Sequence, residues 1–134
     1  GHSNTILCMD MDDRLIVTGS KDQTVRLWDK KTGECKGVLK GHKDWIKDVK
    51  IRGDYILSVA SNHTFYVWDR HSGREIYSQT FFSKKSANFL KIGDNEIIGA
   101  YPNGQVRKFS FAQPTSPLML ESTESDEGKE DSVL

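Results

Sequence analysis

The sequence predicts an all-β protein assembled from repeated four-stranded antiparallel sheets, and three observations predict it. The chain falls onto itself after a shift of 40 residues without a gap. Its β-prone runs are short and separated by polar turns. No stretch sustains the 3.6-residue apolar period that a helix requires.

The repeat is specific. Gly1-His2 falls on Gly41-His42 and Trp28-Asp29 on Trp68-Asp69. Between them Ile16 falls on Ile56, Thr18 on Ser58 and Thr24 on Thr64. Beyond them Thr32-Gly33 falls on Ser72-Gly73. A third copy follows after a shift of 41: Lys50-Ile51 falls on Lys91-Ile92, Asn62 on Asn103 and Trp68 on Phe109. This copy has lost both dipeptides, since Phe82-Ser83 and Phe109-Ser110 stand in their places. The units are therefore 1–40, 41–80 and a degenerate 81–112, followed by a tail over 113–134.

Each copy opens on a β-prone strand, at Ile6–Met11, Ile46–Ile51 and Ala87–Ile92. Ile46, Val49 and Ile51 change phase between 46 and 49, which predicts a bulge there. Two further strands flank a polar turn. They are Leu15–Thr18 and Thr24–Trp28 about Lys21-Asp22-Gln23, then Tyr55–Ser58 and Thr64–Trp68 about Ser61-Asn62-His63. In the third copy they are Glu96–Ala100 and Gln105–Phe111 about Pro102-Asn103-Gly104, whose Asn-Gly is a hairpin signal. A fourth strand follows the Gly33 and Gly73 turns, at Cys35–Leu39 and Glu75–Thr80. Four antiparallel strands per period of about 40 residues make one blade of a β-propeller. Propellers typically close with four to eight blades, so three form an incomplete ring with apolar surface on both outer blades. The remaining blades are expected upstream in a longer chain of which this is the C-terminal part, or from self-association of two wedges.

With the GH and WD dipeptides in register, residues 1 to about 112 resemble the WD40 repeat family. The resemblance implies a hydrogen-bonded tetrad in each blade. In the first repeat it falls on His2, Thr18, Asp22 and Trp28; the indole donates to the hydroxyl, the hydroxyl meets the imidazole, and the imidazole donates to the carboxylate. In the second it falls on His42, Ser58, Asn62 and Trp68. Asn62 stands where the family prefers Asp, so this network is expected to be weaker by roughly 1 kcal/mol. In the third repeat Ser83, Gly99, Asn103 and Phe109 align and no tetrad is possible, leaving apolar packing to hold that blade.

The net charge of zero conceals an asymmetry. Residues 1–120 carry 18 Lys/Arg against 13 Asp/Glu, and residues 121–134 carry one Lys against six Asp/Glu. A mildly basic body thus precedes an acidic, polar tail expected to be disordered. Lys40, Lys43, Lys47, Lys50 and Arg52 alternate with Asp44, Asp48 and Asp54, the pattern of a solvated face; no nucleic-acid partner is expected. No apolar run reaches the roughly 18–20 residues of a membrane span. Cys8 and Cys35 form no CxxC pair and read as reduced thiols, consistent with a cytoplasmic or nuclear protein. His63 and His71 stand singly in turns and are expected to be solvated. No metal and no cofactor are expected.

Ser/Thr, His and Asp together invite a hydrolase reading, but the hydroxyl sits in a β-branched strand rather than on a nucleophile elbow. No catalytic residues are therefore assigned. By the resemblance the chain is a non-catalytic scaffold binding other proteins or peptides; the alternative is the substrate-recognition part of a multi-subunit enzyme such as an F-box/WD40 ubiquitin-ligase adaptor. The candidate contacts are loop side chains on the face that carries the tetrad turns: Lys21, Gln23, Lys43, Trp45, Ser61, His63, Lys84 and Pro102. Trp45 replaces Thr5 of the first repeat and reads either as an interface anchor or as packing against the next blade. At the end of the chain, Ser132-Val133-Leu134 resembles a C-terminal ligand of PDZ domains.

Overall fold

The computed structural model describes residues 1–81 and 87–111, and the backbone of 122–124. Among the described residues twelve strands form three four-stranded antiparallel sheets. Blade 1 is β1 (Ile6–Met11), β2 (Leu15–Ser20), β3 (Thr24–Asp29) and β4 (Cys35–Lys40). Blade 2 is β5 (Ile46–Arg52), β6 (Tyr55–Ala60), β7 (Thr64–Asp69) and β8 (Glu75–Thr80). Blade 3 is β9 (Phe89–Ile92), β10 (Glu96–Ala100), β11 (Val106–Phe111) and β12 (Ser122–Glu124). The strands of each sheet lie in chain order, and none of the sheets closes on itself. Among the described residues there is no helix.

Local chemistry explains the turns. Gln23, His63 and Gly104 occupy the same turn position in the three blades, and all have positive φ, at 73°, 63° and 87°. Glycine meets that demand without strain, and the first two blades meet it with larger residues. The Asp of each WD dipeptide then builds the next turn. Asp29 Oδ1 accepts from the Lys31 and Thr32 amides, and Asp69 Oδ1 from those of His71 and Ser72. The left-handed Gly33 and Gly73 complete those turns. The bulge in the second blade lies between Ile46 and Asp48, and an equivalent one, with no phase change in the sequence to announce it, lies between Ile6 and Cys8.

The core lies between blades and alternates with period two. In β6, Ile56 and Ala60 point into a cluster with Leu15, Val17, Val25, Leu27 and Leu39 of blade 1. Leu57 and Val59 point the other way, to Leu90, Ile92, Ile97 and Phe109 of blade 3. A strand buried on both faces needs no polar alternation, and Tyr55–Ala60 shows none. Each of these side chains larger than alanine contributes about 1.5–3 kcal/mol through removal from water. The seams are also tied by polar groups on the first strands. Asp10 Oδ2 accepts from the Ile51 amide at 2.8 Å, and Asp48 Oδ2 from the Ile92 amide at 2.7 Å.

Two expectations change. The third sheet takes its outer strand from Ser122–Glu124, which pairs with Phe109–Phe111. That strand lies inside the segment 113–134 read as a disordered tail. Its composition is that of a polar chain, but an unpaired β11 edge supplies backbone partners that composition does not reveal. The first strand of blade 3 begins at Phe89 rather than Ala87, although Ala87 is buried in the same seam.

Candidate protein-binding rim

Two hydrogen-bonded networks fix the loops of blades 1 and 2. In blade 1, Trp28 Nε1 donates to Thr18 Oγ1 at 2.9 Å, and that hydroxyl donates to His2 Nε2 at 2.6 Å. With Nε2 accepting, Nδ1 carries the proton and donates to Asp22 Oδ2 at 2.9 Å. Asp22 also receives the Ser3 and Thr24 amides and the Thr24 hydroxyl. Burial alone would raise its pKa, yet the bonds from Thr24, His2 and Ser3 outweigh it and hold the carboxyl well below the usual range. The network joins the segment before β1 to the β2–β3 turn, so the rim of the blade is held at both ends.

Blade 2 carries only part of this chain. Trp68 Nε1 donates to Ser58 Oγ at 2.8 Å, and Ser58 donates to His42 Nε2 at 2.6 Å. There the chain stops. His42 Nδ1 is buried with no hydrogen-bond partner among the described residues. Asn62 is exposed, and its Oδ1 receives the Thr64 amide instead. The expected amide acceptor for His42 is thus not in place. The Tyr66 ring packs on the imidazole at 4.2 Å between centroids, and burial lowers the His42 pKa to about 3. In blade 3, Phe109 occupies the tryptophan position and stacks on Phe81 at 4.7 Å. Gly99 occupies the hydroxyl position, where a Cβ would stand 2.9 Å from the Tyr101 ring.

The rim residues separate into distinct environments. Lys21 is half-buried, Gln23, Lys43 and Pro102 are exposed, and Ser61 donates its amide to the Trp45 carbonyl at 2.8 Å. Trp45 is 43% exposed, and Lys21 Nζ of the preceding blade lies 4.3 Å from its ring centroid. His63 is a correction. Expected in solvent, it is buried at the seam between blades 2 and 3. Its Nε2 lies 3.0 Å from the Tyr101 hydroxyl, and its ring packs against Phe81 and Tyr101. Gln23 has the same left-handed backbone at the equivalent position and stays exposed, so it is the packing against Phe81 and Tyr101 that holds His63 inside. His71 is exposed and meets Asp54 at 3.2 Å. Lys84 and Ser132, Val133 and Leu134 lie outside the described residues.

Two further surfaces stand out: the first escaped the sequence reading, and the second is the open apolar face of an outer blade that the repeat leads one to expect. On the opposite end of the wedge, blades 1 and 2 enclose a cleft of about 840 Å³ beside Lys36, Leu39 and His71, crossed by the Arg70–Asp12 ion pair. The second is the side of blade 1 turned away from blade 2. Ile6, Met9 and Met11 are 50%, 56% and 55% exposed there. Their counterparts in the repeat are Ile46, Val49 and Ile51 in blade 2 and Ala87, Leu90 and Ile92 in blade 3, which the preceding blade covers.

This architecture, a wedge of four-stranded blades with a GH-to-WD network at its rim, defines an open portion of a β-propeller. The family model "WD domain, G-beta repeat" matches residues 1–29 and 33–69. The chain belongs to the WD40 repeat family, whose members generally serve as protein-interaction scaffolds. It is 42% identical to "Mitochondrial division protein 1" of Candida glabrata, over 86% of this chain and 19% of that protein. It is 38% identical to "Kinesin-like protein KIF21B" of Mus musculus, over 52% of this chain and 4% of that protein. The chain thus spans about a fifth or less of the length of these curated relatives. The crystal structure of the computationally designed Ika4 protein superimposes with a TM-score of 0.70 at 20% identity, over 95% of this chain and 77% of that one, a likeness of fold.

Proposed function

We propose that this chain supplies three consecutive blades of a propeller that acts as a non-catalytic platform for other proteins or peptides. The rim around Trp45 is its contact surface. The observation that carries this reading is the exposed Trp45 itself. It stands at the seam of blades 1 and 2, held between the Ser61 amide and the Lys21 ammonium, on loops that the His2 and His42 networks anchor. A large ring presented with little freedom to lose is the side chain best suited to anchor a partner. The networked hydroxyls serve this rigidity. Thr18 is buried and its oxygen already accepts from the Trp28 indole, which leaves it placed as a structural link rather than as an accessible nucleophile.

The apolar side of blade 1 belongs to the same reading. A further blade of the same kind covers Ile6, Met9 and Met11, as blade 1 covers Ile46 and Val49.

Affinity capture with the full chain tests the platform. Proteins retained by the native chain, lost with Trp45→Ala and kept with Lys36→Ala on the opposite end identify partners of the rim. Equal retention by all three would overturn the assignment of the rim.

A further inference from the structure

Resting on the reading of the rim as a platform, we propose that its partner is an acidic peptide segment carrying an apolar side chain, seated on Trp45 between Lys21, Lys43 and Lys47. The charges of the rim are used unequally. Its carboxylates are engaged internally: Asp22 by His2, Ser3 and Thr24, and Asp44, through Oδ1 alone, by the Trp45 amide. Its ammonium groups are not. Lys21 Nζ stands 4.3 Å and Lys47 Nζ 5.9 Å from the Trp45 ring centroid. Lys47 reaches a carbonyl, that of Asn88, at 3.2 Å. Among the described residues none of Lys21, Lys43 or Lys47 has a carboxylate within ion-pair distance.

Two cations placed beside one exposed indole form a preorganised site. The ring orders Lys21 and Lys47 before any ligand arrives, so little of their side-chain freedom remains to be lost on binding. Carboxylates of an incoming segment supply the missing counter-charges, and the ring supplies an apolar surface between them. The site therefore asks for negative charge on both sides of an apolar side chain. Three lysines interleaved with Asp44 provide few phosphate contacts, which favours a peptide over a nucleic-acid strand.

The test is fluorescence anisotropy with the full chain and a labelled peptide, Glu-Asp-Glu-Phe-Glu-Asp-Glu, beside its neutral counterpart Gln-Asn-Gln-Phe-Gln-Asn-Gln. The acidic peptide is expected to bind saturably, about tenfold or more tighter than the neutral one, and to weaken as salt rises past about 0.15 M. Trp45→Ala and the pair Lys21→Gln with Lys43→Gln are each expected to weaken it about tenfold, and Lys36→Gln to leave it unchanged. Unchanged melting curves establish that the variants are folded. Absence of binding, indifference to the rim substitutions, or preference for an oligothymidylate of equal charge would overturn the proposal. Captured proteins that depend on Trp45 while the acidic peptide fails to bind would end this inference and leave the platform reading standing. Failure of both experiments ends both.

Discussion

His63 Nε2 lies 3.0 Å from the Tyr101 hydroxyl, a hydrogen bond that crosses from the second blade to the third. Its setting makes it pH-sensitive. Burial, and then the nearby Arg107 guanidinium, lower the His63 pKa to about 4. A histidine whose value is lowered on folding favours the folded state fully above its unfolded value of about 6.5, and that contribution is lost as pH falls from there toward 4. His42, lowered to about 3 by burial, acts in the same direction over a wider window. Stability is therefore expected to decline between pH 6.5 and 4, by an amount on the order of 3 kcal/mol per buried histidine. Calorimetric melting across that range checks it. His63→Gln, which places at 63 the residue that blade 1 carries at the same left-handed position, is expected to flatten the slope. A slope unchanged by that substitution would assign the acid sensitivity elsewhere.

The unpaired Nδ1 of His42 leads to a gain of stability. In blade 1 a single carboxylate serves both duties, Oδ1 taking the Thr24 amide and Oδ2 the His2 ring. Asn62→Asp gives blade 2 the same pair of acceptors. It is expected to stabilise the protein by about 1 kcal/mol at neutral pH and to raise the His42 pKa. Urea denaturation measures the first and NMR titration of the imidazole the second. A less stable variant would mean that the turn at 62 is unable to reach the ring.

The hydroxyl at the centre of the first network is expected to be structural. Thr18→Ala leaves His2 Nε2 and Trp28 Nε1 without their shared partner, at an expected cost of about 1–3 kcal/mol. Thr18→Ser keeps the hydroxyl and should recover most of that loss, since Ser58 plays the same part in blade 2. Equal stability of the two variants would remove the hydroxyl from the account.

What was legible in the sequence follows from what repeats. The GH and WD dipeptides recur at a fixed distance, so strand order and turns could be placed without coordinates, and the partners of Trp28 followed from the resemblance to the WD40 repeat family. The same logic misplaced His63, because a repeat aligns positions and says nothing of how one blade's turn meets the next. Solvent was assumed for a turn residue whose inward direction is set by Tyr101 and Phe81, members of a neighbouring blade and its approach. It also missed β12. A three-residue strand in an acidic segment owes its existence to the edge of β11 rather than to its own β-propensity. For the rim, the sequence singled out Trp45 and Lys21 separately. That they touch depends on the seam between blades 1 and 2.

Close approach at that seam gives a further expectation. Gly19 faces blade 2 so tightly that a Cβ there would overlap Ile46 Cγ2 and stand 2.7 Å from Cys8 Sγ. Gly19→Ala is expected to destabilise by about 1–3 kcal/mol through overpacking, and Ile46→Ala in the same chain to return part of it. Additive losses in the double-mutant cycle would show that the two residues do not press on one another.

The same residue position behaves differently at the two ends of the wedge, and that difference is measurable. Met9 and Val49 occupy equivalent places in β1 and β5, one more than half exposed and the other wholly buried against blade 1. Val49→Lys puts a charge into the seam without a partner and is expected to cost more than about 3 kcal/mol, enough to unfold a chain of marginal stability. Met9→Lys is expected to change the melting temperature little. Combined with Met11→Lys, it removes apolar surface from the open face and should reduce dye binding and concentration-dependent association, read by light scattering. If Met9→Lys destabilises the chain as strongly as Val49→Lys, blade 1 is already covered in solution. Association would then use this face, with a second copy standing where a further blade belongs.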